Sequence, residues 1–216
     1  IHVIVEGAAK KFQPLPQNLK GTDPLWPKLK KKYGLRTPYL LSLCTFSIQK
    51  NLPRTLEAFA ILKQKRSMKD VQLVLAGMAG SSEQLLIKAL REHPNRADIV
   101  HTGYLHDDFV PTLYRNAAAF VSPSLYEGFG LPMLEAMQSG TAVVTSDVSS
   151  IPEVVGDCAF NCNPLSVESI AEAMHTALTN DTLRAQKITA GIKRAKLFSW
   201  DKAAAQVETV FAKLLH

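Results

Sequence analysis

Residues 122–140 read Ser122-Pro123-Ser124-Leu125-Tyr126-Glu127-Gly128-Phe129-Gly130-Leu131-Pro132-Met133-Leu134-Glu135-Ala136-Met137-Gln138-Ser139-Gly140, and a short apolar run, Ala118 to Val121, leads into them. Pro132 suits the first turn of a helix, because its φ is already helical and the N–H it lacks would have no partner there. Gly140 is where such a helix stops. The stretch is therefore read as strand, glycine loop and helix. The N–H groups at that junction sit at the positive end of a helix dipole and suit a phosphate or another anion. Glu127 and Glu135, eight positions apart, would be repelled by the anion, so they are expected to accept hydrogen bonds from hydroxyl groups. Hydroxyls beside phosphates are the chemistry of a sugar nucleotide.

The same pattern extends in both directions. Tyr39 to Leu43 is a continuous apolar run, Val71 to Ala76 reads as a second buried strand, Ile99-Val100-His101 is a shorter one, and Ala142 to Thr145 and Ala159-Phe160 follow the motif. Apolar runs without alternation predict strands buried on both faces of a parallel sheet. Between them, Leu52, Leu56, Phe59 and Leu62 recur at helical spacing. Further helices are predicted from a Ser81 or Ser82 cap to about Glu92, over Asp107 to Asn116, and through Ser150-Ile151-Pro152-Glu153. Beyond Ser166 the chain reads as helical over Val167–Thr179, Asp181 to about Lys196, and Trp200–Leu215. The last helix puts Ala203, Val207, Val210, Phe211 and Leu214 on one face.

Upstream, Ile1 to Val5 is a β-branched run that predicts a strand, in a chain that opens without methionine and so reads as part of something longer. Pro14, Pro16, Pro24 and Pro27 mark residues 12–27 as linker, and Leu25 to Tyr33 predicts a short basic helix closed by Gly34. The expected fold is a Rossmann-like, doubly wound parallel α/β sheet of about six strands with right-handed crossovers and a helical C-terminal end. The expected divisions are an interdomain strand and linker over 1–36, a nucleotide-sugar-binding domain over 37–198, and a terminal helix over 199–216. That helix packs on the domain or toward a second one. Ligands on such sheets bind outside the carboxyl ends of the strands. Here those loops are Cys44 to Asn51, Gly77 to Ser82, Thr102 to His106, Ser122 to Gly130 and Ser146 to Ile151.

Composition narrows the classes. The 216 residues carry a formal charge of +6, with 46% hydrophobic and 20% charged residues, which is an ordinary globular balance. The basic residues cluster only at Lys28, Lys30, Lys31 and Lys32. A solvated helix face accounts for that cluster, and an anionic membrane surface or anionic acceptor is the alternative. No aromatic residues interleave with it, which argues against nucleic acid. Cys44, Cys158 and Cys162 cannot all pair within the chain and fit no four-ligand zinc spacing. Reduced thiols in a cytoplasmic protein are expected. No apolar run approaches membrane-spanning length.

The stretch Glu127-Gly128-Phe129-Gly130-Leu131-Pro132-Met133-Leu134-Glu135, followed by Ala136 and Gly140, resembles the E-x7-E signature of the retaining GT-B glycosyltransferases of the group 1 family. Lys50-Asn51-Leu52, Leu75-Ala76-Gly77, Thr102-Gly103-Tyr104, Ser122-Pro123-Ser124, Ser149-Ser150-Ile151-Pro152-Glu153 and Phe198-Ser199-Trp200 fall in the same family order, so the likeness covers about Ile1 to Trp200. The resemblance implies the donor-binding C-terminal half of a two-domain GT-B transferase, which passes a hexosyl group from a nucleoside-diphosphate sugar to a glycan or lipid-linked acceptor. It implies an N-terminal domain beyond this chain, a cytoplasmic site that can lie at the inner face of a membrane, and no cofactor or metal.

It also implies roles. Glu127 would hydrogen-bond the donor sugar, the amides of Gly128, Phe129, Gly130 and Leu131 would lie near sugar and diphosphate, and Lys50 would neutralise the diphosphate. Glu135 would hold the ribose hydroxyls, and Gly103, Tyr104 and Leu105 would lie beside the base. In the loop before Lys50, a threonine or serine, Thr45 among them, could hydrogen-bond the phosphate without neutralising it. The sequence departs from the family pattern after the first strand, where Cys44 stands at the usual glycine position and the usual arginine is missing.

Other features carry two readings. Glu153 is a helix cap or a substrate contact. The Phe129 ring reads as a core plug before a sugar platform, His101 and His106 as strand-end and loop residues, and Cys44 as a small buried hydrophobe. Asp107-Asp108 is adjacent rather than spaced like a metal motif, and reads as a helix start. A non-catalytic sugar-nucleotide or partner-binding module is the alternative function. A dehydrogenase domain would need a G-x-G-x-x-G turn where Leu43-Cys44-Thr45-Phe46 stands. A sugar-nucleotide epimerase does not account for the glutamate pair.

Overall fold

The computed structural model describes residues 2–15, 23–78, 80 and 83–214. Six parallel strands form one sheet: β1 (Tyr39–Leu43), β2 (Gln72–Ala76), β3 (Ile99–Gly103), β4 (Ala119–Ser122), β5 (Val143–Ser146) and β6 (Phe160–Cys162). Their order across the sheet is β3-β2-β1-β4-β5-β6. The helices are α1 (Trp26–Tyr33), α2 (Leu52–Gln64), α3 (Glu83–Glu92), α4 (Val110–Asn116), α5 (Leu131–Gln138), α6 (Ile151–Val155), α7 (Val167–Thr179), α8 (Asp181–Ala195) and α9 (Trp200–Leu214). This is the doubly wound α/β sheet that the apolar runs predict.

Both faces of the sheet are covered, and successive residues divide between the two cores. Leu40, Leu73, Leu75, Ala119, Val121 and Val144 pack with Leu56, Phe59 and Leu62 of α2, Leu86 and Leu90 of α3, and Ile170 and Met174 of α7. Tyr39, Leu41, Val74, Phe120 and Val143 point the other way, onto Leu29 of α1, Leu113 and Tyr114 of α4, Met133 and Leu134 of α5, and Val154 of α6. That two-sided burial is why the strands read as unbroken apolar runs.

Two expectations are corrected. Residues 2–5 join no ladder, although Ile4 and Val5 are half-buried. The chain around them lies against the start of α9 instead, with a Cβ at Gly7 falling 2.5 Å from the Trp200 nitrogen. The β-branched composition is therefore used for packing rather than for pairing. Asp107 and Asp108 are not helix start. They belong to a turn closed by the Phe109 N–H on the His106 carbonyl, and the helix begins only at Val110, ahead of Pro111. The apolar face of α9 is open. Ala203 is buried, but Val207, Phe211 and Leu214 are 37%, 59% and 75% exposed. The Ser81 and Ser82 cap, together with Ile1, Pro16 and Leu215, lies outside the described residues.

Away from the ligand end, buried charges are closed off. Asp23 accepts from Thr112 Oγ1 at 2.9 Å and from Arg115 Nε at 2.8 Å, tying the start of α1 to α4. Lys63 and Arg36 both pair with Asp98, each at 2.9 Å.

Candidate functional site

The strand order reverses between β1 and β4, and a crevice opens outside the carboxyl ends of the strands at such a reversal. The loop after β1 carries Lys50 and the loop after β4 carries Glu127. Seventy-seven positions apart in sequence, the two side chains meet there: Lys50 Nζ donates to both Glu127 oxygens at 2.8 Å. Neither end is free to drift. Lys50 ends a short 3-10 turn, Ile48–Lys50, and the next residue, Asn51, sits in the left-handed region at φ 57°. Asn tolerates that region better than most residues. The Asn51 amide, fully buried, donates to the Pro123 and Pro164 carbonyls at 2.9 and 2.7 Å, fastening the loops after β4 and β6 to the start of α2.

Glu127 is 8% exposed, so its charge is held in place rather than solvated. Ser124 Oγ donates to Oε1 at 2.7 Å and the Glu127 N–H donates to Ser149 Oγ at 3.0 Å. Ser150 Oγ donates to the carbonyls of Glu127 and Phe129 at 2.9 and 3.1 Å. Ser149 itself has φ 54°, a conformation non-glycine residues take only at a cost. These serines turn the carbonyls of the glycine loop toward the protein. The N–H groups of Gly128, Phe129, Gly130 and Leu131 meet no protein acceptor among the described residues. Gly130, at φ 112°, precedes α5 in a conformation that L side chains rarely adopt.

Two clefts open from this point. One, of about 540 Å³, is lined by Glu127 through Pro132, Ser150 and Glu153, and by residues 3–6. The other, of about 420 Å³, is lined by Thr45, Lys50, Tyr104, Leu105, Pro132 and Glu135, with Cys44 and Gly77 at its floor. Pro132 borders both. A Cβ at Gly77, where φ is 134°, would fall 1.9 Å from the Cys44 carbonyl, so the end of β2 abuts the loop after β1. Lys50 is the one cation among the described residues lining either cleft. Cys44 adds no charge, because burial pushes its thiol up to about 12, against a smaller opposite pull from Lys50.

Glu135, on α5, faces the second cleft and pairs with no cation among the described residues. Its partner is Tyr114 on α4, whose hydroxyl donates to Oε2 at 3.1 Å. Burial raises Glu135 to about 7, opposed by that hydrogen bond.

The residues singled out in the sequence thus divide between the clefts. Lys50, Thr45, Tyr104, Leu105 and Glu135 line the smaller, and Glu127, Gly128, Phe129, Gly130 and Leu131 the larger. Gly103 lines neither. It turns the chain at φ 65°, and its carbonyl accepts from the Gly77 N–H at 3.1 Å. The Phe129 ring packs edge-on against Phe198 at 5.8 Å, as a plug, while its backbone faces the cleft. Glu153 lines the larger cleft. His101 packs on Phe46 at 5.2 Å, and His106 stays on the surface. Sequence reading missed Tyr114, Ser124 and the seats of Ser149 and Ser150. Tyr114 carried only the signal of an apolar helix face, and the serines were legible as a motif without a partner. No group of three or more His, Cys, Asp or Glu able to hold a metal ion occurs among the described residues.

Comparison with known proteins agrees with the fold. The family described as Glycosyl transferases group 1 matches residues 27–194. The chain is 37% identical over 177 residues to O-antigen chain mannosyltransferase B of Escherichia coli, covering 82% of this chain and 46% of that protein. It is 34% identical over 171 residues to the MMP alpha-(1->4)-mannosyltransferase of Mycolicibacterium hassiacum, covering 77% and 40%. The chain therefore spans less than half the length of these relatives. In structure it is similar to a glycosyltransferase from Rickettsia africae, with TM-score 0.84 at 17% identity, covering 100% of this chain and 57% of that one. It is also similar to the C-terminal domain of a group 1 glycosyl transferase from Francisella tularensis, with TM-score 0.71 at 22% identity, covering 88% and 96%. At those identities the likeness concerns the fold.

Proposed function

We propose that this chain, which belongs to the group 1 glycosyltransferase family, is the donor-binding half of a retaining, metal-independent hexosyltransferase. A single observation carries the reading. Lys50 and Glu127 are brought together where β1 and β4 diverge, beside the open amides at the start of α5, and Lys50 shares the smaller cleft with Glu135. Breaking a sugar–phosphate bond builds positive charge at the anomeric carbon and negative charge on the departing diphosphate. Lys50 and the amides of 128–131 are groups that stabilise the latter without reorganising. Glu127, already ordered by Ser124, accepts from sugar hydroxyls in the larger cleft. Glu135 accepts from the ribose in the smaller one, with Thr45 toward the phosphates and the backbone near Tyr104 and Leu105 toward the base.

The relatives named as mannosyltransferases make a nucleoside-diphosphate mannose the first donor to test. The acceptor, a glycan or lipid-linked sugar, belongs to an N-terminal domain outside this chain. In that reading residues 1–36 are the interdomain segment and linker, 37–198 the donor domain, and α9 the helix that reaches the partner domain, which gives its open apolar face an occupant. The site is cytoplasmic, in keeping with three free thiols. Exposed Lys28, Lys30, Lys31 and Lys32, which have no carboxylate partner among the described residues, suit the inner face of an anionic membrane. No helix is long and apolar enough to cross one.

Calorimetric titration of the 216-residue chain with UDP, GDP, ADP and their mannose derivatives tests the reading. Binding of one base class is expected, and no heat with any of them at millimolar concentration overturns it. A second reading, a non-catalytic sugar-nucleotide module, is favoured by the single cation and the neutral thiol at Cys44. Nucleotide binding by a two-domain protein that transfers no sugar would select it.

A further inference from the structure

Tyr114 is completely buried on the inner side of α4. Its ring is held edge-on by Phe12 at 5.8 Å and by Phe120 at 5.4 Å, and its own carbonyl accepts from Thr141 Oγ1 at 2.7 Å. A buried phenol needs an acceptor, and among the described residues the hydroxyl has one, Oε2 of Glu135 on the neighbouring helix. That contact uses one acceptor site of Oε2 and leaves the others, both on Oε1 included, without a protein donor among the described residues. Since Glu135 lines the smaller cleft, a ring held by two aromatic neighbours dictates how its carboxylate is presented.

We infer that Tyr114 is a positioning residue that fixes the Glu135 carboxylate for recognition of a vicinal diol, the ribose 2′- and 3′-hydroxyls of the donor nucleotide. The inference rests on the donor-binding reading above and deepens it. Two adjacent hydroxyls donate best to one carboxylate set at a fixed angle, and a freely rotating or protonated carboxyl loses one of the two acceptances. No cation opposes Glu135 directly, so the Tyr114 hydroxyl takes over part of the work of keeping the charged form in a buried place.

The groups around Glu135 come from several elements. Tyr114 lies on α4, Asp107 on the turn before it, and Lys11 on the N-terminal segment, where it pairs with Asp107. Lys50 and Cys44 line the same cleft, and α5 itself adds no other charged residue. Burial raises Glu135 to about 7. The Tyr114 hydrogen bond and Lys11 pull it down, and Asp107 pushes it up. Affinity for the diol is therefore gained as pH rises through about 7, and removing the hydroxyl moves that rise to higher pH.

The experiment titrates the 216-residue chain and its Tyr114→Phe and Glu135→Gln variants with UDP, GDP and ADP and with their 2′,3′-dideoxy counterparts, from about pH 6 to about pH 9. The ratio of ribo to dideoxy affinity cancels the titration of the phosphates. The wild type is expected to prefer the ribonucleotide by about tenfold above pH ~7.5, the worth of a charged hydrogen bond, and to lose that preference toward pH ~6. Tyr114→Phe should cut the preference to about threefold at pH ~7.5 and recover part of it at pH ~9. Glu135→Gln, whose amide oxygen still accepts from Tyr114, should show no pH-dependent preference. It stands in if Tyr114→Phe fails to melt cooperatively. A Tyr114→Phe profile superimposable on wild type overturns the inference, and so does a Glu135→Gln chain that keeps the pH-dependent ratio. A wild type that binds nucleotide yet ignores the 2′,3′-hydroxyls overturns the inference and leaves the donor reading standing. A wild type that binds no nucleotide removes both.

Discussion

Glu127 and Glu135 bound one short loop and the start of one helix, yet they sit in opposite surroundings. Glu127 is closed in by a lysine and a serine hydroxyl, and its cleft is bordered by the chain's own terminal segment at residues 3–6, with Phe198 behind Phe129. Glu135 has a neutral phenol for a partner, and its cleft is walled by loops after β1, β2 and β3. In the proposed reading, that difference lets one helix start serve two parts of a ligand. A buried carboxylate whose counter-charge is fixed can be ordered permanently, which suits a group that must meet the reacting sugar. A carboxylate with no counter-charge is destabilising as an ion, which suits a contact that the ligand itself completes.

Removing Lys50 is the strongest way to break the contrast, because it would leave Glu127 as the more isolated of the two. Breaking a buried ion pair from one side is expected to cost about 3 kcal/mol, since the remaining charge stays desolvated. Lys50→Met should lower the urea midpoint accordingly at neutral pH, and weaken nucleoside-diphosphate binding by more than about tenfold through the lost cation. Unchanged unfolding would mean that Ser124 alone suffices to hold Glu127.

Substitution at the other carboxylate should act with the opposite sign. The folded pKa of Glu135, about 7, lies above its ordinary 4.5. The folded chain therefore binds that proton more tightly, so the stability it contributes is full below about pH 4.5, declines as pH rises to about 7, and is level above. At pH ~8 the wild type carries a desolvated carboxylate that Glu135→Gln does not. The variant is expected to be more stable by about 1–2 kcal/mol there, with no gain at pH ~4. Thermal melts at the two pH values decide it, and a variant less stable at both would contradict the burial of an ion at this position.

How far these surroundings were legible in the sequence follows from their physics. The strands were legible because burial on both faces leaves apolar runs such as Leu73–Ala76 and the start of β1. Glu127 stood out beside the glycine loop after a strand, Glu135 by its spacing from Glu127 into the following helix, and Lys50 through the likeness to the family motifs. That Lys50 touches Glu127 was not legible, since it depends on the strand order placing β1 beside β4. Tyr114 was hidden for a different reason. A tyrosine on an apolar helix face looks like core, and only the third dimension reveals which acceptor its hydroxyl finds. The Ile1–Val5 strand failed because composition sets a preference for extended backbone, whereas pairing needs a free sheet edge nearby.

A finer test separates the clefts without touching either carboxylate. Ser150→Ala removes the donor that holds the Glu127 and Phe129 carbonyls, at a cost of about 1 kcal/mol. The loss should fall on the sugar side. Affinity for the bare nucleoside diphosphate is expected to stay within about twofold, while affinity for the nucleotide sugar drops by about fivefold. Equal losses for both ligands would show that the two clefts act as one.

The smallest effect is expected at α9, which borders the Glu127 side through Phe198 and the contact of Gly7 with Trp200. Phe211 is 59% exposed on that helix, so Phe211→Ser removes little that is buried in this chain, and its stability should change by less than about 0.5 kcal/mol. Affinity for nucleoside diphosphates should be unchanged as well, because the ring lines neither cleft. In a two-domain protein the same change should lower the melting temperature, since the apolar face would then be covered. The Glu135 cleft, built from this chain's own loops, has no such dependence. A chain that loses stability on its own with Phe211→Ser would show that α9 packs on the donor domain, and would remove the reason for assigning its open face to a second one.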